Sequence, residues 1–221
     1  MTKPRGPYAK TSSKRQQIIE AALAAYAEAG SRKVSVRDIA QRVGMTDAGV
    51  LHHFGGREAL LTAVLAARDA AAEERFGAFE ARGADDFLQV LAANASTPGL
   101  VKLFVDLAAA AAEPDHPAHD YFGERYDRYR RRFAEQLVEQ ASAGPVPDGP
   151  VSDGPVPDAR AGAVDADRAA EAAWAARILI AATDGLQLQW LLDPRIDMAD
   201  DIRRLADVLL NSPGERDRPA G

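Results

Sequence analysis

Apolar residues recur every three or four positions along most of this 221-residue chain and seldom alternate with polar residues in the two-residue period of a β-strand. Alanine, the strongest helix former, is abundant between them. The pattern predicts an all-α protein of about nine helices. The predicted helical segments are 16–30, 36–43, 46–54, 57–80, 86–94, 98–112, 118–141, 167–192 and a last helix starting near residue 198.

Residues 35–54 have the pattern of two short helices joined by a tight turn. Ser35 and Thr46 precede the two helices and can cap them. Ala40 is small where the helices must approach, and Gly44 stands at the turn, where a left-handed backbone favours glycine. Two ordinary core helices would show the periodicity without this order of residues. The segment therefore predicts a helix-turn-helix, a unit that reads DNA.

The charge is distributed unevenly along the chain. The net charge of −6 argues by itself against binding to nucleic acid. However, residues 1–58 hold ten Lys and Arg against five Asp and Glu, so this part is basic and the rest is acidic. Residues 1–12 place cations among prolines and glycine, and we expect them to form a flexible basic arm. The arm is either an idle terminus or a segment that orders on DNA.

The stretch from about residue 13 to 65 resembles the DNA-binding domain of the TetR family of transcriptional regulators. The resemblance lies in the initial helix, the run Ser-Val-Arg-Asp-Ile-Ala-x-x-Val-Gly from Ser35, the His53-Phe54 pair, and Arg57 followed by Glu-Ala-Leu-Leu. It implies a three-helix DNA-binding domain at 13–58 and a helical ligand-binding and dimerisation domain at 59–211.

The resemblance also implies a function. A homodimer would bind double-stranded DNA at a near-palindromic operator, most simply as a repressor, and a small-molecule inducer would release it. The residues implied to contact DNA are Ser35, Arg37, Thr46, Asp47, Ala48, Gly49, His52, His53 and Arg57. Gly49 and Leu51 depart from residues common in relatives, so the operator sequence is not readable from the chain.

An aromatic row in the predicted helix 118–141 is typical of a core, but it can instead line a ligand cavity between helices. On the second interpretation, the expected ligand-binding residues are Leu61, Leu65, Val101, Phe104, Val105, Tyr121, Tyr126, Tyr129 and Phe133. The sequence does not decide between the two.

The segment 167–192 has two apolar stripes, so both sides of this helix need cover. One side can pack within its own subunit, and the other can contact a second copy of the chain. The alternative is that both sides of the helix are buried within one subunit. The expected dimer residues on this helix and the next are Trp174, Ile178, Ala181, Gly185, Leu188, Leu192, Ile202, Leu205 and Leu209.

Residues 143–163 include three near-copies of Gly-Pro-Val-Pro-Asp and predict a disordered loop, and residues 212–221 predict a flexible tail. The chain has no cysteine, no signal peptide pattern and no uncharged apolar run of spanning length. We therefore expect a cytoplasmic protein without disulfides or thiolate metal sites.

Two other classes of protein remain as alternatives. The segment 113–120 holds His116, His119 and three carboxylates, so it is a conceivable metal site, although a polar connector fits it equally. No catalytic motif or phosphate-binding loop is present. We expect no enzymatic activity and no cofactor or metal; the alternative function is a helical ligand-binding or metal-binding protein without regulatory DNA binding.

Overall fold

The computed structural model describes residues 7–30, 32–76, 84–142 and 159–211. Over these residues the chain forms nine α-helices and no strand, which confirms the predicted all-α class. The helices are α1 Pro7–Ala29, α2 Val36–Arg42, α3 Asp47–His52, α4 Arg57–Phe76, α5 Ala84–Asn94, α6 Pro98–Ala110, α7 His119–Ser142, α8 Ala159–Leu192 and α9 Met198–Asn211.

The first three helices form the predicted helix-turn-helix unit. Ser35 caps α2 in a capping box with Asp38, and Thr46 caps α3. Gly44, between these helices, has a φ of 63°, a conformation that favours glycine. Val50 of α3 is fully buried against the core that α1 and α2 share. The turn is therefore fixed by local residues that the sequence reveals directly.

Two predicted boundaries are wrong. Helix α1 begins at Pro7 instead of residue 16, so residues 7–12 of the predicted flexible arm are helical. Proline is favoured at the first position of a helix, and Lys, Arg and Gln extend it well. Helix α8 begins at Ala159, inside the predicted loop 143–163, because its first turns are rich in alanine. Residues 1–6, most of that loop and the tail 212–221 lie outside the described residues.

One hydrophobic core joins the helix-turn-helix to the rest of the chain. Ile18 of α1, Leu60 and Val64 of α4, and Phe104 of α6 belong to the same buried cluster. The cluster therefore crosses the boundary predicted at residue 58. Helix α7 packs mainly on α8, and α9 packs on α8 and α5, which completes the C-terminal part.

The beginning of α6 meets the end of α1 in a very close contact. A Cβ atom on Gly99 would lie 2.2 Å from the carbonyl oxygen of Tyr26 and 2.9 Å from that of Gly30. This arrangement sets the positive end of the α6 dipole against the negative end of α1. Only glycine at this position lets the two helix backbones come this close.

Among the described helices, no single one is long and apolar enough to cross a membrane. The bent pair Phe87–Asn94 and Pro98–Ala110, at 106° to each other, has the length and composition of a span only when the two are taken together.

We predict that Gly99→Ala lowers the free energy of unfolding by about 1–3 kcal/mol, because backbone atoms cannot move aside for the added methyl group. Urea denaturation followed by circular dichroism measures the change.

Gly123→Ala in α7 is the matched control, since a Cβ there meets nothing within 4 Å. It should leave stability unchanged or raise it by up to about 1 kcal/mol. Equal stability of the two variants would show that the α1–α6 contact tolerates a side chain.

Candidate DNA-binding surface, ligand cavity and dimer face

The outer side of α3 brings together most of the predicted DNA contacts. Thr46, Asp47, Ala48 and His52 are exposed, and Gly49 between them is half-buried. Val50 is buried beneath them and anchors the helix to the core. The short helix therefore presents one continuous polar surface to solvent, as a recognition helix requires.

The four remaining predicted contacts lie around α3. Ser35 and Arg37 are exposed at the start of α2, His53 is half-buried just after α3, and Arg57 begins α4. Arg57 forms an exposed ion pair with Glu58 at 3.2 Å. An exposed pair of this kind contributes little to stability, so its guanidinium can exchange Glu58 for a phosphate at small cost.

Two hydroxyl groups on this surface also cap helices. Ser35 Oγ accepts the Asp38 backbone N–H at 3.2 Å and donates to Asp38 Oδ2 at 2.7 Å. Hydrogen bonds from the backbone and side chain of Ser35 lower the pKa of Asp38, which keeps it ionised. Thr46 Oγ1 accepts the Gly49 N–H at 3.1 Å, and its own hydrogen remains available to a phosphate oxygen.

Gly49 is tightly placed within this arrangement. A Cβ atom there would lie 3.1 Å from Thr46 Oγ1 and 3.4 Å from Met45 Cε. A larger residue would press on the capping hydroxyl, so the glycine keeps the first turn of α3 closely capped.

Helix α1 contributes two cations that the sequence reasoning did not assign to this site. Arg15 donates to the carbonyl oxygen of His53, and its guanidinium lies 4.2 Å from the ring centre of Phe54. Lys14 donates to the carbonyl oxygen of Val43 at 3.4 Å. These contacts secure the ends of α2 and α3 against α1. Their signal in the sequence was weak, because Lys14 and Arg15 read as part of a basic N-terminal run.

Comparison with known proteins identifies the N-terminal segment. The family model for bacterial regulatory proteins of the TetR family matches residues 18–64, which run from α1 into α4. This segment of the chain therefore matches the DNA-binding domain of the TetR family.

A relative and two solved structures extend the comparison beyond this segment. The chain is similar to the HTH-type transcriptional repressor Rv1474c of Mycobacterium tuberculosis, with 31% identity over 141 residues. That match covers 60% of this chain and 63% of the relative, so it spans less than two thirds of the relative's length.

Among solved structures, a TetR transcriptional regulator from Rhodococcus sp. RHA1 has a TM-score of 0.57 at 19% identity, covering 93% of this chain and 100% of that one. Thermus thermophilus FadR in complex with lauroyl-CoA has a TM-score of 0.55 at 17% identity, covering 94% and 98%. At these identities the likeness shows only that the fold is shared along most of the chain.

A cavity lies between α4, α5, α7 and α8. The space open to the centre of a water molecule is about 50 Å³. Its lining mixes apolar and charged side chains: Arg68, Asp69, Ala72, Glu73, Phe87, Val90, Leu91, Asn94, Arg125, Tyr129, Phe133, Ile180, Thr183, Asp184 and Gln187. Of the nine expected ligand-binding residues, Tyr129 and Phe133 line this cavity.

The other seven expected residues lie elsewhere. Leu61, Leu65 and Phe104 are buried in the main core, and Val105, Tyr121 and Tyr126 pack against it. Val101 belongs to a separate cluster with Trp190 and Met198. The row of aromatic residues on α7 thus contributes both to the core and to the cavity wall. The polar lining residues of α4 and α8 were not predicted from the sequence, because no local motif marks them.

Helix α8 has the two apolar stripes that its sequence predicts. Ala175, Leu179 and Trp190 are buried within the subunit. The other stripe faces outward: Trp174 is 47% exposed, Ile178 36%, Leu188 48% and Leu192 81%. Ala181 is also exposed, and Gly185 is half-buried. The outward stripe is a large apolar surface that the single chain leaves uncovered.

The three expected dimer residues of α9 lie on the inner side of that helix. Ile202 is buried with Leu91 and Leu179, and Leu205 and Leu209 pack against the same cluster. Helix α9 has a single apolar stripe, and within the subunit this stripe covers α5 and α8. Among the described side chains of α9, Val208 is a large apolar residue that is 61% exposed.

The histidines of the segment 113–120 have local backbone contacts. His116 Nδ1 accepts the N–H of Ala118 at 3.2 Å, and His119 Nδ1 lies 2.9 Å from the carbonyl oxygen of Ala111. Among the described residues, no group of three His, Cys, Asp or Glu side chains is arranged to hold a metal ion.

We predict that Thr46→Val lowers the free energy of unfolding by about 1 kcal/mol, because it removes the oxygen that accepts the Gly49 N–H while keeping the side-chain shape. Urea denaturation compares it with Thr46→Ser, which retains the hydroxyl and should match the unmodified protein. Identical losses in both variants would mean that the hydroxyl does not stabilise α3.

Proposed function

We propose that this chain is a homodimeric, ligand-responsive transcriptional regulator, most simply a repressor, that binds a near-palindromic DNA site. The observation that carries the proposal is the capped, outward-facing α3 joined to a basic α1 in a TetR-family helix-turn-helix. Such a helix enters the major groove while neighbouring side chains bind phosphates. The protein acts by binding and does not require catalysis.

The polar surface of α3 suits this role residue by residue. Thr46 and the amide groups at the start of the helix fit phosphate oxygens, and His52 is exposed one turn further on. Asp47 repels phosphate but can accept a hydrogen bond from a cytosine amino group. Arg37 and Arg57 lie on either side of α3 and are exposed. Their positive charges can contact the phosphate backbone of the DNA beside the groove.

The outward stripe of α8 supports the homodimer. From Trp174 to Leu192 it runs about 27 Å along the helix, long enough for a substantial contact with the same stripe of a second copy. A twofold contact of this kind would relate two α3 helices by the same symmetry, which matches a palindromic site. Ala181 and Gly185 near its middle permit close approach of the two backbones.

Helix α4 connects the cavity with the proposed DNA-binding surface. Helix α4 begins at Arg57, and the cavity residues Arg68 and Glu73 lie about 17 Å and about 24 Å further along it. A ligand that separates α4 from α7 would move Arg57, and the Gly99 contact would carry any shift of α6 into α1. Regulation requires only that the ligand bind better to the conformation that no longer fits DNA.

Relatives support the same assignment. The M. tuberculosis relative is named as a transcriptional repressor, and the FadR structure holds lauroyl-CoA. By analogy with these two proteins, this chain would be a repressor that a small molecule releases from DNA.

We expect Arg57→Ala to weaken binding to every DNA duplex by a similar factor and to lower the slope of log K against log salt by about one, since one phosphate contact is lost. Fluorescence anisotropy at several salt concentrations measures both quantities.

Arg195→Ala is the control, because Arg195 lies in the α8–α9 turn with a side chain 90% exposed and should not alter the slope. A change in sequence preference at constant salt slope for Arg57→Ala would contradict the phosphate assignment.

We also expect Leu188→Glu to convert the protein to a monomer with native helix content, because the side chain is half exposed in the subunit and belongs to the outward stripe of α8. Sedimentation velocity reports the mass, and a mobility shift with a palindromic fragment reports the accompanying loss of affinity.

Gln189→Glu introduces the same charge at the neighbouring exposed position and should remain dimeric. A Leu188→Glu variant that sediments as a dimer would place the subunit contact on another surface.

A further inference from the structure

The charged groups of the cavity are mostly satisfied by one another. Asp69 accepts hydrogen bonds from Tyr121 Oη at 2.8 Å and Arg125 Nε at 2.9 Å. The Arg125 guanidinium is also held 4.7 Å from the ring centre of Phe104 and 4.6 Å from that of Tyr129. This ion pair is therefore complete, and Arg125 is fixed in place.

The other two carboxyl groups of the cavity also have partners. Glu73 lies 3.7 Å from nitrogens of both Arg128 and Arg132. Asp184 accepts a hydrogen bond from Tyr126 Oη at 2.6 Å, and burial raises its pKa, which favours the neutral acid. Neither group leaves an uncompensated negative charge for a cationic ligand.

Arg68 is different. It donates one hydrogen bond, to Asn94 Oδ1, and among the described residues no carboxylate lies within ion-pair distance of its guanidinium. Burial lowers its pKa, although a guanidinium stays protonated under any ordinary condition. A guanidinium has five donors, so Arg68 retains unused donors, and it lines the cavity. The nearby carboxylate that attracts it, Asp69, is the ion-pair partner of Arg125.

The cavity is small, and apolar side chains form much of the rest of its wall, beside the polar Thr183 and Gln187. Phe87, Val90, Leu91, Phe133 and Ile180 line it, with the rings of Phe87 and Phe133 edge to face at 4.8 Å between centres. The free space corresponds to roughly four water molecules. A compact apolar body fits these walls, and a ligand much larger than this must push the helices apart.

From these observations we infer that the cavity binds a small apolar molecule with a single carboxylate, which pairs with Arg68. The inference rests on the proposed function, since it names the chemical class of the effector. A carboxylate matches the planar fork of a guanidinium with two parallel hydrogen bonds. A phosphate dianion fits less well, because Arg68 compensates only one negative charge and Arg125, the other arginine that lines the cavity, is already paired with Asp69.

Isothermal titration calorimetry on the full chain tests the inference with matched pairs: benzoate against benzamide, and hexanoate against hexanamide. Each pair shares its apolar body and differs in charge. We expect each acid to bind at least about tenfold more tightly than its amide, because a hydrogen bond to a charged partner is stronger than a neutral one.

Arg68→Gln should bring acid and amide to within about threefold of each other, since it removes the cation and keeps a donor. Arg195→Gln, on the exposed α8–α9 turn, is the matched control and should leave the preference intact. If Arg68→Gln does not fold, Arg68→Lys keeps the charge and should retain a preference for the acid.

Equal affinity for acid and amide, failure of all four compounds to bind, or an unchanged preference in Arg68→Gln would each overturn the inference. DNA takes no part in this experiment, so these outcomes concern the cavity alone. Loss of the proposed regulatory function would appear separately, as failure of the unliganded protein to shift any duplex.

Discussion

The packing of α4 against α1 and α6 is the contact on which the rest of the structure depends. Leu60 and Val64 of α4 are fully buried among residues of both neighbours, so the helix-turn-helix has no hydrophobic core of its own. A close-packed core transmits displacement because it contains little free space to absorb it. The same contact that stabilises the small N-terminal unit therefore makes its orientation depend on the C-terminal helices.

This constraint explains how one chain can combine two kinds of site. Helix α4 belongs to the core near Arg57 and to the cavity near Arg68, and the Gly99 junction ties α6 to the end of α1. In the proposed homodimer joined through α8, which also lines the cavity, the subunit contact, the ligand cavity and the α3 helices would share the same few elements. A small change in the angle of α4 would then alter the distance between two α3 helices.

The sequence predicted best what local chemistry determines. Ser35, Gly44 and Thr46 fix the helix-turn-helix within a few residues, and the two stripes of α8 follow from helical periodicity alone. The cavity depended on angles between helices far apart in the chain, so Tyr129 and Phe133 could not be distinguished from the core residue Phe104. Helix α9 was assigned to the dimer face because periodicity shows that a side is apolar but not which neighbour covers it.

Selection of bound fragments from a random pool of DNA duplexes tests the central claim most directly, because it reports DNA binding, symmetry and half-site spacing at once. The account predicts enrichment of inverted repeats whose half-site centres lie about one helical turn or more apart. Enrichment of unpaired half-sites, or no enrichment over the starting pool, would contradict it.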